Sequence, residues 1–315
     1  PEEYWKIECL FDSGDKPEFK GKLHQYNGER IEPKTTDEAH GILDTIKSGP
    51  FSIKEVQERE SKKNPGAPFT TSRLQQEASK AFSFTAKRTM SVAQRLYEGV
   101  ELGAEGAVGL ITYMRTDSTR ISGDALASVR DFIQETFGPE YLPAKPNVYK
   151  TKGRAQDAHE SIRPTSLAYP PEKVASFLKA EELKLYRLIW NRFVACQMTP
   201  ARYAQTRIDI AAPGGYTLRS TGSVLVFAGH QAVFRAAKGI DEDEESDATL
   251  PKLVAGQALK ALTVDATQHF TKPPARFTEA TLVKELEEQG IGRPSTYASI
   301  ISTIQDKSYA EKKDS

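Results

Sequence analysis

GLITYMRTDSTR, residues 109–120, places a tyrosine, an arginine and an aspartate at alternate positions after an apolar run. If this stretch is extended, a period of two divides it into two faces. One face would carry Leu110, Thr112, Met114 and Thr116, and the other would carry Ile111, Tyr113, Arg115 and Asp117. A phenol, a guanidinium and a carboxylate in line make a poor core. The pattern therefore predicts a functional site on the second face.

The sequence on both sides of this stretch has helical periodicity. Ser72 with Gln75 has the spacing of a capping box, and a second helix spans roughly 86–97 with Tyr97 among its inward residues. Ser122 begins a third helix. After a loop of about 30 residues, two more helices are predicted near 171–179 and 181–197.

Strand periodicity appears further out in both directions. Residues 4–11 and 51–60 alternate, Thr35 with Glu38 predicts a capped helix between them, and strands return from residue 201. Two helical patterns, joined by GIGR, close the chain, with Pro294 expected in the first turn of the last helix. The order predicts a helical domain inserted between two halves of a β domain.

Composition restricts the possible classes of protein. The 315 residues are 38% hydrophobic and 27% charged with zero net charge, which favours a globular chain of two or three domains. No P-loop, HExxH motif or Cys/His cluster is present, so ATP hydrolysis and a zinc site are not expected. Cys9 and Cys196 are expected to be buried thiols, and the acidic run at 241–247 to be a solvated loop.

Tyr113 is the candidate nucleophile. A phenol has a pKa near 10, so attack requires loss of its proton and a cation nearby. Arg115 is suited to this because a guanidinium binds phosphate through two hydrogen bonds and keeps its charge. A tyrosine–phosphate ester would conserve the energy of a broken backbone bond. The alternative is a half-buried strand tyrosine covered by an arginine.

Two further segments could bind phosphate. In AHESIRP one helical turn would place His159 and Arg163 on the same face, with Lys152 and Arg154 adding positive charge. In GIGRPSTY the glycines and the following helix N-terminus could hold phosphate with Arg293, Ser295 and Thr296. The alternatives are a surface loop with an ordinary histidine and a tight interhelical turn. In the chain as a whole, the candidate residues for nucleic-acid binding are Arg163, Arg293, Ser295, Thr296 and Asp117, and those for catalysis are Tyr113, Arg115 and His159.

Four long motifs resemble one family in the same order along the chain. GLITYMRTDSTRIS, AQDAHESIRPT, FVACQMTPARY and the segment from HFTKPPARF to IISTIQD resemble bacterial type IA DNA topoisomerases. The resemblance implies that Tyr113 attacks DNA to form a 5′-phosphotyrosyl link and that Arg115 contacts the scissile phosphate. It also implies that His159 binds DNA and relays protons, and that Arg293 and Thr296 lie in the DNA-binding groove.

The resemblance also implies a multidomain α+β fold. A β-rich arch would comprise 1–66 and 200–268, a helical, winged-helix-like tyrosine domain 67–199, and part of a helical cleft domain 269–315. The family's Toprim domain, whose acidic residues bind Mg²⁺, has no counterpart in the sequence. The chain is therefore expected to be a fragment that binds no metal and is inactive in cleavage by itself.

The implied partner is single-stranded DNA within negatively supercoiled duplex. The protein is expected to be a monomer without a membrane partner, cytoplasmic and nucleoid-associated. Two other functions, and a purely structural role as an arch that positions other domains, remain open. A tyrosine recombinase is disfavoured because Tyr113 precedes His159, and a non-catalytic DNA clamp would use Tyr113 only to stack on bases.

Overall fold

The computed structural model describes residues 1–150, 159–236 and 249–313. In chain order the strands are β1 (Glu3–Asp12), β2 (Phe19–Tyr26), β3 (Glu29–Arg30), β4 (Phe51–Lys63), β5 (Val100–Glu101), β6 (Ala107–Val108), β7 (Ala201–Ala211), β8 (Tyr216–Phe227) and β9 (Ala258–Phe270). The helices are α1 (Thr36–Lys47), α2 (Thr71–Phe82), α3 (Ala86–Glu98), α4 (Gly123–Phe137), α5 (Pro171–Val174), α6 (Ala180–Cys196), α7 (Ala232–Ala236), α8 (Glu279–Glu288) and α9 (Tyr297–Asp306).

The chain divides into two units. The first comprises Pro1–Lys63, Arg202–Phe227 and the described part of Asp243–Ala275. The second comprises the described parts of Asn64–Ala201, Ala228–Glu242 and Arg276–Ser315. Residues 276–313, which the sequence assigns to a third domain, thus group with the helical region. The three domains implied by the family resemblance stay a prediction.

The first unit is built on one sheet with the strand order β1-β9-β4-β7-β8-β2-β3. Because β1 also pairs with β2, six of these strands close on themselves and leave β3 beside β2. Alternate residues of the strands place their apolar side chains in the core of this unit. α1 adds Ile42, Leu43 and Ile46 to the same core. Gly21 is required there, since a Cβ atom would lie 2.8 Å from the Phe11 ring.

The second unit is mainly helical. Its core surrounds α6, where Leu185, Tyr186, Ile189 and Phe193 are buried. α8 and α9 pack through Val283, Leu286, Tyr297 and Ile301 in a smaller cluster that also contains Ala86 of α3. The mixed α and β class predicted from the sequence is confirmed.

Some local predictions need correction. Thr35 caps α1 as predicted, but α2 is capped by the side chain of Thr70, which accepts from the Arg73 amide, and not by Ser72. α5 ends at Val174, well before residue 179. Pro294 lies outside α9, because the chain first makes a turn from Arg293 to Thr296.

Cys9 and Cys196 are free and buried, as predicted. Burial raises the pKa of each thiol to about 12, so both stay protonated at neutral pH. None of the described helices is long and apolar enough to cross a membrane.

Candidate active site

The segment 109–120 is not a regular strand. A single bridge joins Ile111 to Pro164, and the Thr112 amide donates to the Arg163 carbonyl at 2.9 Å. The alternation of exposed and buried residues holds from Tyr113 onward but fails at Ile111, which is 1% exposed. The prediction that Ile111 shares a face with Tyr113 is wrong, because Ile111 packs into the core of the second unit.

Backbone contacts fix this segment from two sides. At its start, the Leu110 amide donates to the Leu96 carbonyl at 2.7 Å. A Cβ atom on Gly109 would lie 2.7 Å from the Tyr97 carbonyl oxygen, so only glycine permits this close approach. Further along, Thr71 bonds to the backbone of Met114 and Thr116.

The exposed side chains of the segment are the predicted functional ones. The Tyr113 side chain is 43% exposed and Arg115 is exposed, whereas Met114 and Thr116 beside them are 1% and 2% exposed. Neither Tyr113 nor Arg115 makes a hydrogen bond to any residue that the structure describes. The phenol and the guanidinium are therefore accessible to a ligand, and the interpretation of Tyr113 as a covered strand tyrosine is not supported.

Three aromatic rings cluster at Tyr113. The His159 ring lies edge-on with its centroid 6.3 Å from that of Tyr113, so the structure brings these two predicted residues together. The Tyr97 ring also makes an edge contact with the Tyr113 ring, with 5.4 Å between the two ring centroids. Tyr97 was predicted to face inward, but it is 40% exposed. Tyr97 lies near the C-terminal end of α3, and the direction of its side chain does not follow from periodicity alone.

Arg163 occupies a different environment from the one predicted. Residues 159–164 are not helical, so His159 and Arg163 do not share a helical face. The Arg163 guanidinium donates to Glu160 at 2.7–2.8 Å and to the Pro164 carbonyl at 2.9 Å, and its side chain is 13% exposed. It is engaged in holding its own segment, and its DNA contact stays a prediction. Lys152 and Arg154 lie outside the described residues.

The GIGR segment forms a turn closed by one threonine. The Thr296 hydroxyl accepts from the Arg293 amide at 2.8 Å and donates to the Arg293 carbonyl at 3.2 Å. Arg293 and Ser295 are exposed at this turn. The Arg293 guanidinium donates to the Gly292 carbonyl at 3.0 Å.

Tyr297 links this turn electrostatically to the tyrosine segment. Burial raises the pKa of the Tyr297 phenol above its usual value, and the carboxylates of Glu287 and Asp117 add to this effect while Arg293 opposes it. Asp117 and Arg293 therefore both act on one buried phenol. All eight candidate residues belong to the second unit.

No metal centre is formed by the described residues. Among them, no group of three or more histidine, cysteine, aspartate or glutamate side chains is placed to hold a metal ion.

Comparison with known proteins identifies the family of this chain. A family model described as DNA topoisomerase matches residues 1–315. The chain belongs to the bacterial DNA topoisomerase I family. The sequence-based resemblance to this family is confirmed.

Relatives in this family show what part of a longer protein the chain matches. DNA topoisomerase 1 of Xylella fastidiosa is 46% identical over 320 residues, which cover 98% of this chain and 39% of that protein. DNA topoisomerase 1 of Pseudomonas aeruginosa is 44% identical over 98% of this chain and 34% of its own length. Full-length topoisomerase I from Thermotoga maritima superposes with a TM-score of 0.81 at 35% identity, over 99% of this chain and 48% of that one. The chain spans less than half of each.

Proposed function

We propose that this chain is part of an ATP-independent type IA topoisomerase that relaxes negatively supercoiled DNA. It would cut one strand through a 5′-phosphotyrosyl link and pass the other strand through the break. The observation that carries the proposal is the exposed Tyr113 phenol. It lies in the same hydrogen-bonded segment as the exposed Arg115, and the His159 ring contacts it.

The chemistry is an exchange of phosphate esters. The phenolic oxygen of Tyr113 attacks a backbone phosphorus, the P–O3′ bond breaks, and the leaving oxygen takes up a proton as a free 3′-hydroxyl. One ester replaces another, so rejoining by the 3′-hydroxyl requires no ATP. Arg115 would hold non-bridging phosphate oxygens as negative charge develops, and His159 would take part in moving the phenol proton.

The remaining parts of the proposal concern the rest of the fold and the DNA. The first unit would form the family's β-rich arch and the helical region its winged-helix-like tyrosine domain. Asp117, Arg293, Ser295 and Thr296 would line the path of a single strand toward Tyr113. A magnesium ion would take its ligands from a Toprim domain elsewhere in the longer protein, and the chain alone would not cleave DNA.

A trapped covalent adduct tests this function. Because the link is to the 5′ phosphate, a single-stranded oligonucleotide labelled at its 3′ end leaves its label on the protein. The longer polypeptide that contains this chain is expected to form the adduct in the presence of Mg²⁺, and Tyr113→Phe to abolish it. The proposal fails if the labelled adduct forms equally in the phenylalanine variant.

The isolated chain provides a second arm of the same experiment. It is expected to bind the oligonucleotide without forming adduct. Adduct on the isolated chain that disappears with Tyr113→Phe would contradict the assignment of essential groups to a Toprim domain, while leaving Tyr113 as the nucleophile.

A non-catalytic clamp for single-stranded DNA is the second candidate. The exposed Tyr97 and Tyr113 rings favour it, since nucleobases stack on accessible aromatic side chains. In that case Tyr113→Phe would leave oligonucleotide binding unchanged, and no adduct would form with any form of the protein.

A further inference from the structure

Thr71 makes an unusual set of contacts with the tyrosine segment. It is the first residue of α2 and is 0% exposed. Its hydroxyl donates to the Met114 carbonyl at 2.7 Å and accepts from the Thr116 amide at 2.8 Å. Its own amide donates to the Thr116 carbonyl at 2.9 Å. One residue thus bonds to the backbone on both sides of Arg115.

These bonds replace a partner strand. Extended backbone normally pairs its carbonyl and amide groups with a neighbouring strand, and here a helix N-terminus lies in that place. A threonine hydroxyl supplies one donor and can accept as well, so it satisfies both groups at once. Its β-branched side chain has few rotamers, which keeps the hydroxyl in place.

α2 is itself a firm support. Leu74 and Ala78, on the buried face of the same helix, are 0% exposed in the core of the second unit. The hydrogen bonds of Thr71 therefore tie the segment that presents Tyr113 and Arg115 to the packed interior, although neither of these two side chains is buried.

We infer that Thr71 is a positioning residue for the proposed cleavage reaction: its hydroxyl fixes the Met114–Thr116 backbone so that Tyr113 and Arg115 meet a phosphate in a set geometry. The inference rests on the proposed function. Thr71 touches neither the DNA nor the reacting atoms in this reaction, and acts only through the backbone that it holds.

The experiment compares Thr71→Val and Thr71→Ser in the adduct-forming longer polypeptide. Valine keeps the shape of the side chain but removes the hydroxyl that holds the backbone. A slight misplacement of a reacting group can lower the reaction rate by about 100-fold. Thr71→Val is expected to slow adduct formation by about this factor and to leave oligonucleotide affinity within about threefold. Thr71→Ser, which restores the hydroxyl, is expected to recover the rate.

Thr89→Val is the matched control. Thr89 is also 0% exposed, but its hydroxyl bonds within α3 to the Thr85 carbonyl, so its removal tests general destabilisation. Equal reductions of rate in Thr71→Val and Thr89→Val would overturn the inference, as would a wild-type rate in Thr71→Val.

Amide exchange separates the inference from the proposed function. In the isolated chain, the Thr116 amide is expected to exchange faster in Thr71→Val, and at the wild-type rate in Thr89→Val. If no Tyr113-dependent adduct forms in any protein, the proposed function fails. The inferred role of Thr71 in catalysis then fails as well, even if the Thr116 amide exchanges faster in Thr71→Val. If the adduct forms but Thr116 exchange is unchanged, only the inference fails. Thr71→Ala, which removes the hydroxyl without putting a methyl group in its place, is the substitute if the valine variant does not fold.

Discussion

At the scale of single residues, the site consists of exposed groups on a buried support. Tyr113 lies between two other rings, Tyr97 and His159, and these three come from α3, the tyrosine segment and the segment after residue 158. A nucleotide whose phosphate reaches the Tyr113 phenol would have its base near exposed aromatic surface. Of these rings, Tyr97 is suited to stack on that base, because the Tyr97 hydroxyl takes no part in the proposed cleavage reaction.

Replacement of Tyr97 tests this role. Stacking on one aromatic side chain contributes about 1–3 kcal/mol, so Tyr97→Leu is expected to weaken binding of a single-stranded oligonucleotide by roughly tenfold, whereas Tyr97→Phe keeps it. Fluorescence anisotropy of a labelled oligonucleotide measures both. Tyr26→Leu is the control, since Tyr26 is 43% exposed in the first unit. Equal weakening by the Tyr97 and Tyr26 changes would argue against a stacking role.

At the scale of elements, β7 and β8 are joined by a largely buried charged pair. Asp209 and Arg219 are directly opposite in register, and their two hydrogen bonds measure 2.7 and 2.9 Å. The Asp209 side chain is 10% exposed. Hydrogen bonding to Arg219, more than any other cause, lowers the pKa of Asp209 below its usual value.

The lowered pKa gives a stability prediction with a definite sign. The pair stabilises the folded state fully above the unfolded-state pKa of about 3.9 and loses this contribution as the pH falls through the lower folded value. Asp209→Asn is expected to lower the free energy of unfolding at pH 7 by about 2 kcal/mol and to have a smaller effect near pH 3. Hydrogen exchange of β7 and β8 amides in increasing urea measures this.

Asp44→Asn is the control for that experiment, because Asp44 is an exposed aspartate on α1 of the same unit. It is expected to change stability little at either pH. A destabilisation by Asp209→Asn that is as large at pH 3 as at pH 7 would show that the pair's charge is not the cause.

At the scale of the whole molecule, net charge does not account for the proposed DNA binding. The chain carries 43 basic and 43 acidic residues, so affinity for a phosphate backbone must come from local placement. Every candidate site residue lies in the second unit. Within that unit, Arg293 is exposed, whereas the Arg163 guanidinium is paired with Glu160.

Salt dependence tests this placement. For a single strand, each phosphate that the protein neutralises contributes about 0.7 to the slope of log affinity against log salt. Arg293→Gln is expected to reduce the slope by about this amount between roughly 50 and 200 mM salt. Arg30→Gln removes an exposed charge from β3 in the first unit and is expected to leave the slope unchanged. A slope unaffected by Arg293→Gln would remove Arg293 from the DNA path.

The classes of structure and the family could be predicted from the order of the amino acids. Period two and period 3.6 are local consequences of strand and helix geometry, so β1, β4, β7 and β9 and the helices around α6 could be located without coordinates. The motifs around Tyr113 carry the resemblance to the family. Tyr113 and Arg115 could therefore be proposed as site residues from spacing and motif, and the structure shows both to be exposed.

The surroundings of each side chain, in contrast, depend on contacts between segments that are distant in the chain. Ile111 is buried and Tyr97 is exposed, against their predicted orientations, because packing between distant segments, such as the bridge from Ile111 to Pro164, overrides local periodicity. Arg163 is paired with Glu160 in a non-helical segment, although helical spacing would place it on one face with His159. Thr71 reaches the tyrosine segment across 43 residues of chain, since hydrogen bonds between distant segments depend on packing and leave no periodic trace in the sequence.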